Sequence, residues 1–584
     1  MRIDAEEGSM GSMTRRLPTT SVLGLVLLVL VGCTEPAQRT SVETEAVEAA
    51  AAASPVIRVP LVAEPGEVPP AVVAADTSLA DTTYTVVDVN GGAVVGTGSL
   101  ELLTGPANPW DHAALADLSA ITEPGVYRVV VDGETSSVIE VGDHLYRGVL
   151  GGTLAIFDAN ADGDEPSGWH EPSHLHDRRS RIANGPHRGE RIDVEGGWMD
   201  AGDQLKFTGT TAYATLMLEI AAANQPAQVA ALTESASIGV RWLRKAHPRR
   251  EVFVAQVGHT DADHNAGFRD PTVDDESDDP RRSRRPSYVL TPRTGGSDVA
   301  AITAAALANA AMRLGPERRS RLVGRARAWL AEAVALGGVW RNCCYQQDSW
   351  RDDVAVARAA LWRVTGRRSD ADAALASLRR ATANGEMNWL VGADSYEMSA
   401  IAAAELCGVL RPGDAPARAA VRRPACRILR AGGEAWAAVV ASETAFGRAG
   451  WAQWGSVRQS ESGASVLALA ARAGLDTAQD ALDRATGWFL GVNPWGLRWQ
   501  VVAGGVENPY HWVQAVGLDL PGAVVGGPAP LADINDNRGA DLVLGEFDTP
   551  RQTYRDLADD YVMNEVGIGY SAPAALHFAL ISPD

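Results

Sequence analysis

The chain has 584 residues, 46% of them hydrophobic, with 73 acidic against 52 basic side chains and a formal net charge of −21. That length is too great for one ordinary core and calls for several domains or one large helical or barrel unit. The charge argues against nucleic-acid binding, which needs positive side chains clustered against phosphates, and suits a neutral or cationic partner.

At the start, Arg15 and Arg16 precede an apolar run over 22–31, too short to cross a membrane comfortably, which ends in Leu30-Val31-Gly32-Cys33. That tetrapeptide resembles a bacterial lipobox. The resemblance implies cleavage before Cys33, lipid attachment to its thiol and export to the cell surface or periplasmic face, with contact to the membrane through the anchor only. A plain signal peptide cut elsewhere would instead give a secreted protein. Residues 1–33 are therefore read as a lipoprotein signal peptide, and 34–55, rich in Ala, Glu, Thr and Ser, as a flexible linker. Over 56–143 short β-branched runs such as Tyr84-Thr85-Val86-Val87-Asp88-Val89 are broken by Asn90-Gly91 and Asp132-Gly133, which predicts a small antiparallel β-sandwich.

Over 144–584 the strand signal gives way to Ala- and Leu-rich amphipathic segments at 211–223, 228–246, 298–314, 318–336, 352–365, 370–383, 399–410, 434–442, 462–473, 478–490 and 572–580. Long connections rich in Gly, Pro and Trp separate them. Bundles favour short links, so the pattern predicts a closed helical toroid whose loops build a cleft at one end. Trp350, Trp389, Trp451, Trp454, Trp495, Trp499, Tyr510 and Trp512 lie in or beside those loops, where an aromatic face either stacks on a sugar ring or plugs the core. In an oxidising compartment a Cys407–Cys426 bridge is expected; the adjacent Cys343 and Cys344 fit buried thiols without requiring them.

The candidate chemistry sits in two acidic motifs. Gly196-Gly197-Trp198-Met199-Asp200-Ala201-Gly202-Asp203, followed by Lys206-Phe207, sets two carboxylates three residues apart on a glycine-flanked turn, a pair able to hold and activate a water. Taken alone, an Asp at such a turn is more often a helix cap. Far downstream, Glu565 stands among apolar neighbours in Tyr561-Val562-Met563-Asn564-Glu565-Val566-Gly567, a setting that raises a carboxyl pKa as a general acid requires. Two carboxyl groups in an aromatic-lined cleft are the minimal apparatus of glycoside hydrolysis.

These motifs closely resemble glycoside hydrolase family 9, the inverting β-1,4-glucanases. The octet departs from the family's only at Met199, and Tyr554, Asp556, Tyr561 and Glu565 fit its C-terminal signature in register. Gly295-Gly296-Ser297-Asp298, Asp261-Ala262-Asp263-His264 and Trp454-Gly455-Ser456 stand where the family has similar runs. The resemblance implies an (α/α)6 barrel over 144–584, preceded by an immunoglobulin-like module, acting on a β-linked polysaccharide or oligosaccharide, as a monomer, with no cofactor required for catalysis. It implies Asp203 as general base, Asp200 as its partner in positioning the water, and Glu565 as general acid. Substrate-binding positions would be His511, Tyr561, Tyr570, Trp350 and Trp198.

The chain also departs from the pattern. His511-Trp512-Val513 lacks the arginine of the family's His-x-Arg, which removes a fork for sugar hydroxyls, and neither Val356 nor 265–268 carries the tryptophan often found there. Fewer stacking platforms would suit an exo-acting oligosaccharidase, on a related sugar such as glucosamine; a non-catalytic glycan-binding lipoprotein is a further alternative. Some relatives hold zinc ahead of the octet, but His170, His174, His176 and His187 come with no cysteine, so that zinc is not expected. Asp158, Asn160, Asp162 and Asp164 alternate before a glycine-containing turn like the start of a calcium loop; position twelve is Trp169 rather than Glu, so a solvated acidic loop competes with a weak structural calcium site.

Overall fold

The computed structural model describes residues 54–341, 344–383, 391–538 and 542–582. The signal peptide, Cys33, nearly all of the linker, Cys343 and Trp389 lie outside these residues.

The alternating segment folds as a sandwich, antiparallel as expected except where its second and last strands, at 62–63 and 139–141, pair in parallel. Its strands are β1 (Val56–Arg58), β2 (Val62–Ala63), β3 (Ala71–Ala75), β4 (Thr83–Asp88), β5 (Val94–Ser99), β6 (Glu101–Leu102), β7 (His112–Ala116), β8 (Gly125–Val131), β9 (Glu134–Thr135) and β10 (Ile139–Val141). They form two sheets ordered β1-β3-β7-β6 and β2-β10-β8-β4-β5, with β9 also paired to β8. Period-two side chains close the core between them: Tyr127, Val129 and Val131 of β8 are buried with Val86, Val73 and Ile139.

The helices are α1 (Leu145–Gly152), α2 (Thr208–Asn224), α3 (Val229–Lys245), α4 (Ser297–Met312), α5 (Pro316–Leu336), α6 (Arg351–Thr365), α7 (Arg368–Ala383), α8 (Ser399–Cys407), α9 (Ala419–Ser442), α10 (Ser456–Arg472), α11 (Thr477–Leu490) and α12 (Ile568–Ile581), besides short turns. Among the described residues the even-numbered helices form an inner ring and the odd-numbered ones an outer layer, the arrangement of an (α/α)6 barrel; α12 packs back on α2 to close the ring. Inner helices α2, α4, α8 and α12 are largely apolar or small, as burial on most sides demands: in α4 every residue but Met312 is buried. The short α8 leaves a seam toward α10, which α9 and a 3.1 Å hydrogen bond from Ala393 N–H to Ser462 Oγ fill.

Two helical stretches escaped the sequence reading for local reasons. Helix α1 carries Gly148, Gly151 and Gly152, poor helix formers, and α9 starts at Ala419 rather than at 434, with Pro424 inside it, a residue that in sequence reads as a break. The Cys407–Cys426 disulfide is present and ties the end of α8 to α9. Cys344 is also disulfide-bonded, which corrects the thiol reading for that residue.

The sandwich is fastened to the barrel by a buried carboxylate. Glu64, 3% exposed, accepts from the His144 and Tyr146 N–H groups at 2.8 and 2.9 Å, so the sandwich caps the glycine-rich first helix, and Leu61 N–H donates to Leu490 O at 2.8 Å. Glu64→Ala should lower stability by about 1–3 kcal/mol, the worth of hydrogen bonds to a charged acceptor, read as a shifted denaturation midpoint at unchanged slope.

Candidate active site

The octet is held from below and behind. A small sheet of β11 (Ser180–Ile182), β12 (Arg191–Ile192), β13 (Lys206–Phe207), β14 (Val254–Val257) and β15 (Pro286–Val289) runs beneath it, and β13 leads directly into α2. Gly197, at φ +84°, lies against the Trp242 ring, and a side chain at Gly202 would run into the Phe268 ring and meet His511 Cα at 3.0 Å. Across the cleft, Ile568 N–H donates to Asp200 O at 3.0 Å, and Gly567 has so little room that an added Cβ would meet Ala201 Cβ at 3.2 Å. The start of α12, three residues beyond Glu565, is thereby bolted to the octet.

Those contacts place Asp200, Asp203 and Glu565 in one electrostatic unit. Asp200 is buried, accepts from the hydroxyls of Thr210 and Tyr345, and titrates at about 7, raised by burial and then by the charge of Asp203. Asp203 accepts from Leu205 N–H at 3.1 Å through Oδ1 and pairs with His264 Nδ1 through Oδ2. That hydrogen bond to Asp203, against burial and with the charges of Asp203, Glu565 and Asp200, lifts the His264 imidazole to about 9, so it is a cation at neutral pH. Glu565 is pushed up to about 8 by burial, then by Asp203 and Asp200, with His264 and the Tyr570 hydroxyl at 3.3 Å acting the other way. At pH 7 the site therefore holds a protonated Glu565 together with an Asp203 paired to a cationic His264.

Around them stand aromatic and polar groups, of which the sequence alone did not single out Tyr345, Gln347, Tyr396 and Arg458. Phe268, Tyr510, Tyr561 and Trp454 form a line of rings, with successive centroids 4.0, 5.7 and 5.5 Å apart, and Trp454 is 40% exposed. Trp454 also hydrogen bonds Tyr570. Arg458, at the start of α10, reaches Asp394 at 3.2 Å, lies over the Tyr396 ring and interacts with Tyr570. Tyr345, Gln347 and Tyr396 line a small cavity of about 30 Å³ beside Phe207 and Asp298.

Several expected positions are corrected. His511 is fully buried; its Nε2 donates to Asn160 Oδ1 at 2.8 Å, its Nδ1 accepts from Val513 N–H, and burial holds its pKa down at about 3, so it is a neutral structural ring rather than a sugar ligand. Trp198 is likewise fully buried, against Phe157 and under Gly239 of α3. Trp350 is half-buried with the Arg351 guanidinium 4.7 Å from its ring centre, which takes up one face. Of the other loop tryptophans, Trp499 and Trp512 are core residues. Tyr561 and Tyr570 do stand beside the acid, as above.

The calcium reading fails on side-chain direction. Asn160 donates to Met199 O and Ala201 O, Asp162 pairs with Lys206 and His174, and Asp164 turns to Arg178, so the oxygens do not converge. The four histidines diverge too: His174 sits between Asp162 and Asp274, His176 faces Asp275, His187 faces Glu190, and His170 lies edge-on to Trp512. Among the described residues no group of three or more such side chains is arranged to hold a metal ion.

Comparison with known proteins fits this geometry. The family model described as "Glycosyl hydrolase family 9" matches residues 146–578, and that of the "Cellulase N-terminal ig-like domain" matches 53–136. Endoglucanase 15 of Arabidopsis thaliana is 29% identical over 240 residues, 38% of this chain and 45% of that protein; Endoglucanase 2 of Oryza sativa subsp. japonica is 33% identical over 184 residues, 29% and 26% of the two. The chain thus spans less than half the length of these curated relatives. Among solved structures, AaCel9A in complex with cellobiose-like isofagomine superposes with a TM-score of 0.71 at 22% identity, covering 90% of this chain and 99% of that one. A metagenome-derived endoglucanase of the same family gives 0.69 at 23%, with the same coverage. At such identities the likeness is one of fold.

The His264 imidazole should titrate at about 9 when followed by NMR, and Asp203→Asn should bring it back toward 6.5, because the carboxylate that lifts it is lost.

Proposed function

Because this chain belongs to glycosyl hydrolase family 9, we propose that it hydrolyses β-1,4-glucosidic bonds of cellulose-type glucans and cello-oligosaccharides by single displacement with inversion. The observation that carries the reading is the convergence of Asp203 and Glu565, from motifs more than 350 positions apart in the sequence, into one site where Asp203 pairs with His264 and Glu565 keeps its proton at neutral pH. Glu565 would give its proton to the glycosidic oxygen while Asp203 takes one from the water that attacks the anomeric carbon on the opposite face.

Asp200 would accept the second water hydrogen and share charge with Asp203, with Thr210 and Tyr345 fixing its two oxygens. His264 would hold and aim the Asp203 carboxyl, a role supported by the bond between them. The Trp454 edge and the Tyr561–Tyr510–Phe268 line give stacking faces for successive sugars, compensating the missing tryptophans; each stack is worth about 0.5–1.5 kcal/mol. This line favours binding of a chain over a pocket for one terminal sugar.

We infer further, from Leu30-Val31-Gly32-Cys33 alone, that the protein is exported and lipid-anchored through Cys33. A radiolabelled fatty acid should enter the full-length protein and not Cys33→Ala, which should leave the membrane fraction; label retained by the variant would remove the anchor reading.

Activity on cello-oligosaccharides should fall on the order of 10²–10⁴-fold in Asp203→Ala and in Glu565→Gln, with the first-formed product anomer α. The acid must be protonated, so kcat/KM should decline as pH rises through about 8. Tyr570→Phe removes a bond that favours ionised Glu565, and should move that decline to higher pH. An unmutated protein inert toward every β-glucan, or a β-anomeric product, defeats the proposal.

A further inference from the structure

The outer face of the barrel carries a feature opposite in sign to the acidic cleft. Between α3, the C-terminal end of α4 and α5 lies a groove of about 430 Å³. Its rim holds Arg241, Arg244, Arg313, Arg318, Arg321 and Arg325, and among the described residues no acid lines it. This is an unusual concentration in a chain with 73 acidic against 52 basic side chains. Helix α4 leads away from Asp298 at the cleft wall for 16 residues, so the groove lies ~24 Å from that wall.

The charges are only partly matched by the protein. Arg313 pairs with Glu219 at 3.0 Å, while Arg241 and Arg321 pair with Glu165 and Glu317 outside the groove. Arg325 donates to two main-chain carbonyls, those of Arg244 and His247, at 2.9 and 3.0 Å, and burial together with the Arg244 charge lowers its pKa. Arg244 and Arg318 form no salt bridge among the described residues. On α5, Arg318, Arg321 and Arg325 fall at i, i+3 and i+7, a stripe that advances ~10 Å along one helix face. Beneath the guanidinium groups lies an aliphatic floor of Val240, Leu314 and Leu322.

We propose that this groove is a second binding site, for a carboxylated glycan: a polyuronate strand laid along α5, its carboxylates on the arginine forks and its ring faces on Val240, Leu314 and Leu322. Guanidinium forks match carboxylates bidentately, and the aliphatic floor has a use only if the ligand offers carbon faces between its charges, which a bare phosphodiester chain does not. The net charge of −21 repels any polyanion at long range, but at physiological salt fields decay over ~8 Å, so the local arginines govern a strand already in the groove. Binding is independent of hydrolysis and does not rest on the reading of the cleft.

The test is affinity electrophoresis of the full chain in gels carrying polygalacturonate, polyglycerol phosphate or neutral hydroxyethylcellulose. Polygalacturonate should retard the protein in a salt-sensitive way, and the exposed double variant Arg244→Ser/Arg318→Ser should weaken that retardation at least tenfold while hydrolysis of β-glucan stays unchanged. Glu565→Gln should be retarded like the unmutated protein, which separates this site from the cleft. No retardation by polygalacturonate, equal retardation of the double variant, or equal or stronger retardation by polyglycerol phosphate overturns the proposal.

Discussion

Lys206 is fully buried, and its ammonium reaches Asp162 at 2.6 Å, Asp177 at 2.8 Å, and the carbonyls of Gly196 and Val194 at 3.1 and 3.2 Å. One side chain thereby joins the loop after α1, the strand region before the octet, and the octet's own first glycine. Around it the charges balance: Lys206, Arg285, Arg269 and His174 face Asp162, Asp177, Asp263 and Asp274. Removing one member of such a set leaves a buried charge uncompensated at about 3–5 kcal/mol, whereas the intact set fixes geometry more than it adds stability. Of the four histidines and the acidic loop ahead of the octet, His174 and Asp162 are spent on this network.

The network extends to the reacting end of the site. Asp263, held by Arg269 at 3.0 Å and accepting from His259 N–H at 2.7 Å, orders the short turn that carries His264 to Asp203. Asp200, meanwhile, is fixed by Thr210 and Tyr345 on one side and by Ile568 N–H through its carbonyl on the other. Burial and the neighbouring Asp203 and Asp200 hold the proton on Glu565, while the His264 cation sits against Asp203.

What sequence conveyed was the chain's local chemistry. The octet, the acid in its apolar frame, the Asn-Gly and Asp-Gly turns of the sandwich and the period of most barrel helices are written in contiguous residues. His264, Tyr345 and Arg458 meet Asp203, Asp200 and Asp394 across 61, 145 and 64 positions, and their neighbours in sequence give no sign of those partners in space. The quoted Asp261-Ala262-Asp263-His264 was the available clue to one of them. His511 and Trp198 failed for the converse reason: each is near the site along the chain, but its ring points inward, His511 to Asn160 and Trp198 to Phe157. A motif fixes where the backbone passes, and packing decides which face of the backbone a side chain leaves from.

The barrel's alternation explains why acids gather at this end. Each inner helix runs the same way, since an outer helix returns the chain between them, and their N-termini all open on the cleft: α2 follows the octet, α4 begins at Ser297-Asp298, α6 at Arg351-Asp352-Asp353, α10 beside Tyr570, and α12 at the Asp200 contact. Unpaired N–H groups and the positive ends of the helix dipoles favour anions there by about 0.3–1 kcal/mol each. Burial acts against this. Asp298, at the head of α4, titrates at about 7, raised by burial although it accepts from Trp340 N–H at 2.8 Å, and Asp200 and Glu565 are raised as well. Desolvation therefore outweighs the dipoles at these positions. The fold supplies enough positive potential to keep the acids in place and too little to strip them of their protons, which is the condition a general acid needs near neutral pH.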